Sequence, residues 1–107
     1  MEYVRKLDEI EARFEGLTRQ LADPAVISDP EQYRKVAKGH RDLDEVVAAY
    51  RRWKQLRRDL DGARPMLEEA DEDLRAMAAE EVQRLEPELA SLEERLKVLL
   101  LPRDPND

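Results

Sequence analysis

The stretch YRKVAKGHRDLDEVVAAYRRWKQLRRDL, residues 33–60, decides the fold. Its apolar and ring-bearing side chains, Tyr33, Val36, His40, Leu43, Val47, Tyr50, Trp53, Leu56 and Leu60, recur every three or four residues. Spacing of that kind places them on one face of an α-helix. The short steps from Tyr50 to Trp53 to Leu56 turn the buried stripe around the helix, as a stammer does. Ser28-Asp29-Pro30-Glu31 stands just upstream. Ser28 or Asp29 supplies an N-cap, Pro30 suits the first turn, and Ser28 with Glu31 has capping-box spacing. Downstream, Pro65 either kinks the helix, the favoured outcome, with a frayed continuation to about Glu69, or ends it near Arg64.

The same periodicity continues on both sides. Tyr3, Leu7, Ile10, Phe14, Leu17 and Leu21 form a heptad seam over about residues 2–22, closed by Asp23-Pro24. Glu2/Lys6, Glu9/Arg13 and Glu15/Arg19 have i,i+4 spacing with the acid first. Val26 and Ile27, in the short loop that follows, are expected to plug the end of a bundle. Asp71 or Asp73 caps a third helix whose stripe is Leu74, Ala78, Val82, Leu85, Leu89, Leu92, Leu96 and Leu99. Pro87 interrupts that stripe and should bend the helix. No segment reads as a strand. The expectation is an all-α fold, an antiparallel three-helix bundle with a long, coiled-coil-like helical hairpin. Residues 1–101 would form the domain and 102–107 the start of a linker.

Composition narrows the function classes. The 107 residues contain no cysteine and one histidine, His40. A disulfide scaffold, a cysteine-bearing metal site and a multi-histidine site within one chain are excluded. No apolar run approaches the ~20 residues of a membrane span, and the N-terminus lacks a signal-peptide core, so a cytoplasmic location is expected. Charged residues make up 42 % and the net charge is −7. Charge is unevenly spread: −3 over residues 1–30, +5 over 31–58 and −9 over 59–107. A basic middle between acidic flanks fits a polar binding face, intramolecular pairing, or both.

No glycine-rich phosphate loop, nucleophile elbow or metal-binding helix motif is present. Ser28, Ser91 and Thr18 stand far in sequence from His40. The chain is therefore not expected to be an enzyme, to hold a cofactor or to take a small-molecule substrate. His40 reads as a half-buried ring with a local hydrogen bond, or as a pH-sensing contact. Trp53 reads as core with its N–H at the edge, or as a partner hot spot. Arg51, Arg52, Lys54, Arg57 and Arg58 form the most suggestive cluster. It either pairs with the acidic third helix or contacts RNA phosphates or an acidic protein. Of the run Leu99-Leu100-Leu101, a single stripe cannot bury all three. Leu100 and Leu101 become a plug or an interdomain docking patch.

Several segments carry a family resemblance. They are Leu21-Ala22-Asp23-Pro24 followed by Val26 and Ser28-Asp29, then Tyr50-Arg51-Arg52-Trp53. To these are added the Asp59–Leu67 stretch, similar to D-I-E-x-A-x-x-M-L, and residues 99–107, close to L-L-L-P-K-D-P-x-D. In this order they resemble the N-terminal domain of the bacterial peptide chain release factor 1 family, the class-I factors that read UAA and UAG. The 99–107 ending separates that family from its sister, factor 2. The central G-T-G-G-D-E segment, the Gly-Gly-Gln motif of peptidyl-tRNA hydrolysis and the codon-reading Pro-x-Thr motif do not occur in the chain. Pro65 and Pro87 fall where many relatives have helix formers. The resemblance implies a domain that docks a termination factor at the ribosomal stalk base. It also implies interplay with the release-factor GTPase and a secondary contact to the methyltransferase of the Gly-Gly-Gln glutamine. The rival reading is a standalone coiled-coil adaptor or scaffold that binds partner proteins or self-associates through its seams.

Overall fold

The computed structural model describes residues 1–102. In chain order it contains α1 (Val4–Leu21), α2 (Pro24–Ile27), α3 (Pro30–Ala63), the 3-10 helix η1 (Arg64–Glu68) and α4 (Glu72–Leu99). The all-α expectation holds, and no strand occurs among the described residues. The chain divides into two compact units, residues 1–48 and 49–107, and α3 contributes a half to each.

The first unit holds α1, α2 and the start of α3. Two Asp-Pro pairs set its boundaries. Asp23 caps α2 by accepting the Ala25 N–H at 2.9 Å, with Pro24 in the first turn. Asp29 does the same for α3, accepting the Gln32 N–H at 3.2 Å ahead of Pro30. Proline's missing N–H costs nothing at that position. The capping box expected of Ser28 and Glu31 does not form. The Ser28 hydroxyl turns back and donates to the Ala25 carbonyl at 3.1 Å. Of the two apolar residues in this turn Val26 is buried, whereas Ile27 is 52 % exposed.

On α1 the seam buries Leu7 and Phe14, with Tyr3, Ile10, Leu17 and Leu21 half-buried. Phe14 stacks on His40 of α3 with ring centroids 4.1 Å apart. Gly39 lies against Leu17, whose methyls come within 3.5 and 3.8 Å of where a Cβ would stand. Thr18 Oγ1 donates to the Phe14 carbonyl at 3.0 Å and lies 2.9 Å from His40 Nε2. The hydroxyl proton is thus used, so His40 Nε2–H is the donor in that contact. Tyr33 was expected in the seam but is 41 % exposed. It precedes Gly39 by about 9 Å of helix, whereas α1 has only about 6 Å left after Leu17. The partner helix ends before Tyr33 is reached.

The second unit holds the rest of α3, η1 and α4. Tyr50, Trp53, Leu56 and Leu60 are buried on α3, and Ala78, Val82, Leu85, Leu89 and Leu96 on α4. Pairing is antiparallel: Arg52 meets Glu88, and eleven residues later Ala63 shares a depression with Leu74 and Ala78. Of the two outcomes expected at Pro65 the favoured kink does not occur, and the end near Arg64 does: α3 stops at Ala63 and tightens into η1. Arg75 closes the turn by donating to the Glu69 and Ala70 carbonyls at 3.0 and 3.3 Å. Asp71 is the cap of α4, accepting the N–H groups of Asp73 and Leu74 at 2.8 and 3.2 Å. Glu72 and Asp73 add negative charge at its positive end. Leu74, in the first turn, is 41 % exposed rather than core. Pro87 does not end α4. Both Pro87 and Gln83, whose carbonyl loses its i+4 partner to the proline, are exposed residues.

Candidate functional site

α3 carries the cluster Arg51, Arg52, Lys54, Arg57 and Arg58 within the second unit. At ~3.6 residues per turn these five positions do not share one direction. Tyr50, Trp53, Leu56 and Leu60 occupy the buried arc. Arg52 borders it on the α4 side. Lys54 and Arg57 border it on the other, and Arg51 and Arg58 point outward together, seven residues apart.

The structure therefore separates the cluster into three environments. Arg52 is tied to α4: Nε donates to Glu88 Oε2 at 2.8 Å and Nη2 to Oε1 at 3.2 Å. This two-pronged pairing holds the Glu88 carboxyl below its usual range, through the hydrogen bond first and charge second, and raises Arg52 in return. Lys54 Nζ stands 4.7 Å from the centroid of the Tyr50 ring, and the Arg57 guanidinium 5.8 Å from that of Trp53. The rings themselves stack with centroids 5.8 Å apart. Buried aromatics thus hold two cations at the surface, and a guanidinium lying over a ring keeps its N–H edges available. Arg58 donates to Gln55 Oε1 at 2.8 Å, and Gln55 in turn donates to Asp59 at 2.9 Å. For Arg52 the expected pairing with the acidic third helix is met.

Trp53 is core, and its N–H is not at the edge as expected. Nε1 is fully buried and has no hydrogen-bond partner. Nothing in the sequence signals that. The Arg52–Glu88 pair was legible only as a general match between a basic middle and an acidic third helix.

At the C-terminal end of α4 Leu100 is the half-buried C-cap and Leu101 is 60 % exposed. Val98, at 54 %, extends this apolar edge. It sits one position off the stripe and was missed for that reason. The linker expected over residues 102–107 lies, beyond Pro102, outside the described residues. Two depressions flank the turn of the second unit. One, about 300 Å³, is lined by Ala63, Met66, Leu74, Met77, Ala78 and Glu81. The other, about 400 Å³, is lined by Leu67, Glu72, Arg75, Ala76 and Ala79. Neither gathers a nucleophile with a base. Among the described residues no group of His, Asp and Glu could hold a metal ion, and no helix is long and apolar enough to cross a membrane.

Comparison with known proteins supplies the lineage. The chain is 48 % identical over 102 residues to peptide chain release factor 1 of Acidobacterium capsulatum, covering 95 % of this chain and 28 % of that protein. It is 45 % identical over 105 residues to peptide chain release factor 1 of Syntrophomonas wolfei, covering 97 % and 30 %. For peptide chain release factor 1 of Desulforudis audaxviator the identity is 48 % over 103 residues, covering 95 % and 29 %. The chain thus spans less than a third of the length of these relatives, and it corresponds to their N-terminal part. No solved structure matches it. The PCRF domain family matches residues 10–107. The chain belongs to the PCRF domain family.

Proposed function

We propose that this chain is the N-terminal domain of a translation-termination release factor and that it docks the factor on the ribosome. The observation that carries the reading is identity of 44–48 % to release factor 1 proteins, sustained over 95 % of the chain. Residues 1–101 act as the domain and 102–107 lead into the rest of the polypeptide. The parent factor reads UAA and UAG. Codon reading and peptidyl-tRNA hydrolysis belong to its other parts; the described residues bring together no nucleophile, base and oxyanion donors. Its tasks are positional: docking at the stalk base, interplay with the release-factor GTPase, and a secondary contact for the glutamine methyltransferase, all in the cytoplasm. Arg51, Lys54, Arg57 and Arg58 are the ribosome contacts, with Arg52 holding α3 to α4. Leu100 and Leu101, joined by Val98, dock against the polypeptide that follows.

The test removes residues 1–107 from the full-length factor and follows ribosomes halted at UAA or UAG. Peptide release should persist while GTPase-stimulated recycling slows. Loss of all hydrolysis with ribosome binding intact would count against the reading. Reversing Arg51 and Arg58 to glutamate should weaken ribosome association most at low salt. Unchanged affinity across salt concentrations would remove the cluster from the interface.

A further inference from the structure

The first unit carries a second cationic face. From Gln32 to Arg41 the sequence has four cations and no acid, in a chain whose net charge is −7. Three of those cations, Arg34, Lys38 and Arg41, are spaced i, i+4, i+7 and are all exposed. That spacing makes one ridge along α3, with about 10 Å of helix rise between its ends. The Lys38 side chain is 76 % exposed, and its Nζ lies 3.0 Å from Asp42 Oδ2. An exposed pair of this kind contributes little and yields readily to a stronger anion. Asp42, Asp44 and Glu45 bound the ridge on its C-terminal side and Glu31 on its N-terminal side.

Beside the ridge stands Tyr33. Its ring belongs by spacing to the apolar seam, yet it is 41 % exposed because α1 has ended. Tyr33, Ala37 and Arg41 form the adjoining ridge, spaced i, i+4, i+8. Between ring and guanidinium the helix carries only the half-buried methyl of Ala37. A row of cations next to an exposed aromatic ring suits a phosphodiester chain with unpaired bases: cations take the phosphates and the ring takes a base face. An acidic peptide would use the cations but has no need of the ring. We infer that Arg34, Lys38 and Arg41, with Tyr33 as stacking platform, form a binding surface for RNA with unpaired bases. The inference rests on the ribosome-docking reading and assigns RNA as the chemical class of one contact.

The experiment follows fluorescence anisotropy of a labelled 12-nucleotide oligouridylate with the 107-residue protein between 50 and 200 mM salt. The variant R34Q/K38Q/R41Q should bind at least tenfold more weakly at 50 mM. Its plot of log affinity against log salt should flatten by about 2, three phosphate contacts at ~0.7 each. Tyr33→Ala should weaken binding on the order of tenfold with the salt slope unchanged, and Tyr33→Phe should restore it. Far-UV circular dichroism checks that each variant keeps its helices. No binding by the parent protein, or equal binding by parent and triple variant, overturns the inference. An unchanged affinity in Tyr33→Ala, or equal affinity for a duplex, overturns the assignment to unpaired bases. The docking reading fails separately, if removing residues 1–107 leaves every ribosomal function of the full-length factor intact.

Discussion

All three glycines of the chain, Gly16, Gly39 and Gly62, lie inside α-helices, and none has a positive φ. Each is replaceable by alanine without backbone strain, and a helix-interior glycine costs about 0.8–1.0 kcal/mol relative to alanine. The structure says what each new methyl would meet. At position 16 it would lie 3.7 Å from the Arg19 guanidinium, a flexible tip. At position 62 it would meet nothing within 4 Å. At position 39 it would touch the Leu17 methyls at 3.5 and 3.8 Å, ordinary van der Waals contact. Gly62 is the penultimate residue of α3, where fraying reduces the gain. Gly16→Ala and Gly39→Ala should each stabilise by about 1 kcal/mol, and Gly62→Ala by about half that. The three have different neighbours, so the triple variant should gain about 2–2.5 kcal/mol. At ~4–8 °C per kcal/mol for a domain of this size, the melting temperature should rise by roughly 8–20 °C. Urea unfolding monitored by far-UV circular dichroism reads the gain directly, with the slope m unchanged. A loss of stability in Gly39→Ala would refute the stated packing of α1 on α3. No gain in Gly16→Ala would refute a regular helix at that position.

The remaining predictions concern the second unit. Glu88 should titrate below the ordinary glutamate value of 4.5, and Arg52→Gln should move its carboxyl NMR midpoint back up. Because the folded value is the lower one, the pair's stabilisation is present above pH ~4.5 and disappears as pH falls through the folded midpoint. A wild-type midpoint at or above the ordinary value would disprove the pairing. Leu56 is fully buried, so Leu56→Ala should cost about 2–5 kcal/mol in urea unfolding. Trp53→Phe should cost clearly less, because it also removes a buried, unpartnered N–H worth about 1–3 kcal/mol. Equal losses in the two variants would mean that the indole N–H is satisfied.

The helices were legible because their seams are long and regular. Val36, Val47 and Leu60 on α3, and Ala78, Val82, Leu85, Leu89 and Leu96 on α4, are buried where the spacing puts them, with Leu92 half-buried. Spacing carries no information on where a partner helix ends, so Tyr33 and Leu74 were misplaced. Proline chemistry was legible at Asp29-Pro30, where local sequence alone decides the cap; Asp23-Pro24 was read as the end of α1 and the start of a loop, and there Asp23 caps the short α2. It was less so at Pro65, where the α-helix gave way to a 3-10 turn, and at Pro87, whose cost depends on which face it occupies. The cationic cluster was visible as composition. Its division among Glu88, two aromatic rings and the outer face depends on neighbours 36 residues away as well as four, and charge counting has no access to those.

Trp53 is the single tryptophan and lies in the second unit, whereas the first unit is marked by the Phe14–His40 stack. Its fluorescence therefore reports one unit alone, and backbone dichroism reports both. Yet α3 runs unbroken through residues 48 and 49, so neither unit can melt completely without opening the helix it shares with the other. Overlaying the two unfolding curves measures how far one rod of backbone hydrogen bonds transmits cooperativity. Coincident midpoints mean that the rod enforces a single transition, and separated ones give the free energy at which a continuous helix can be half dissolved.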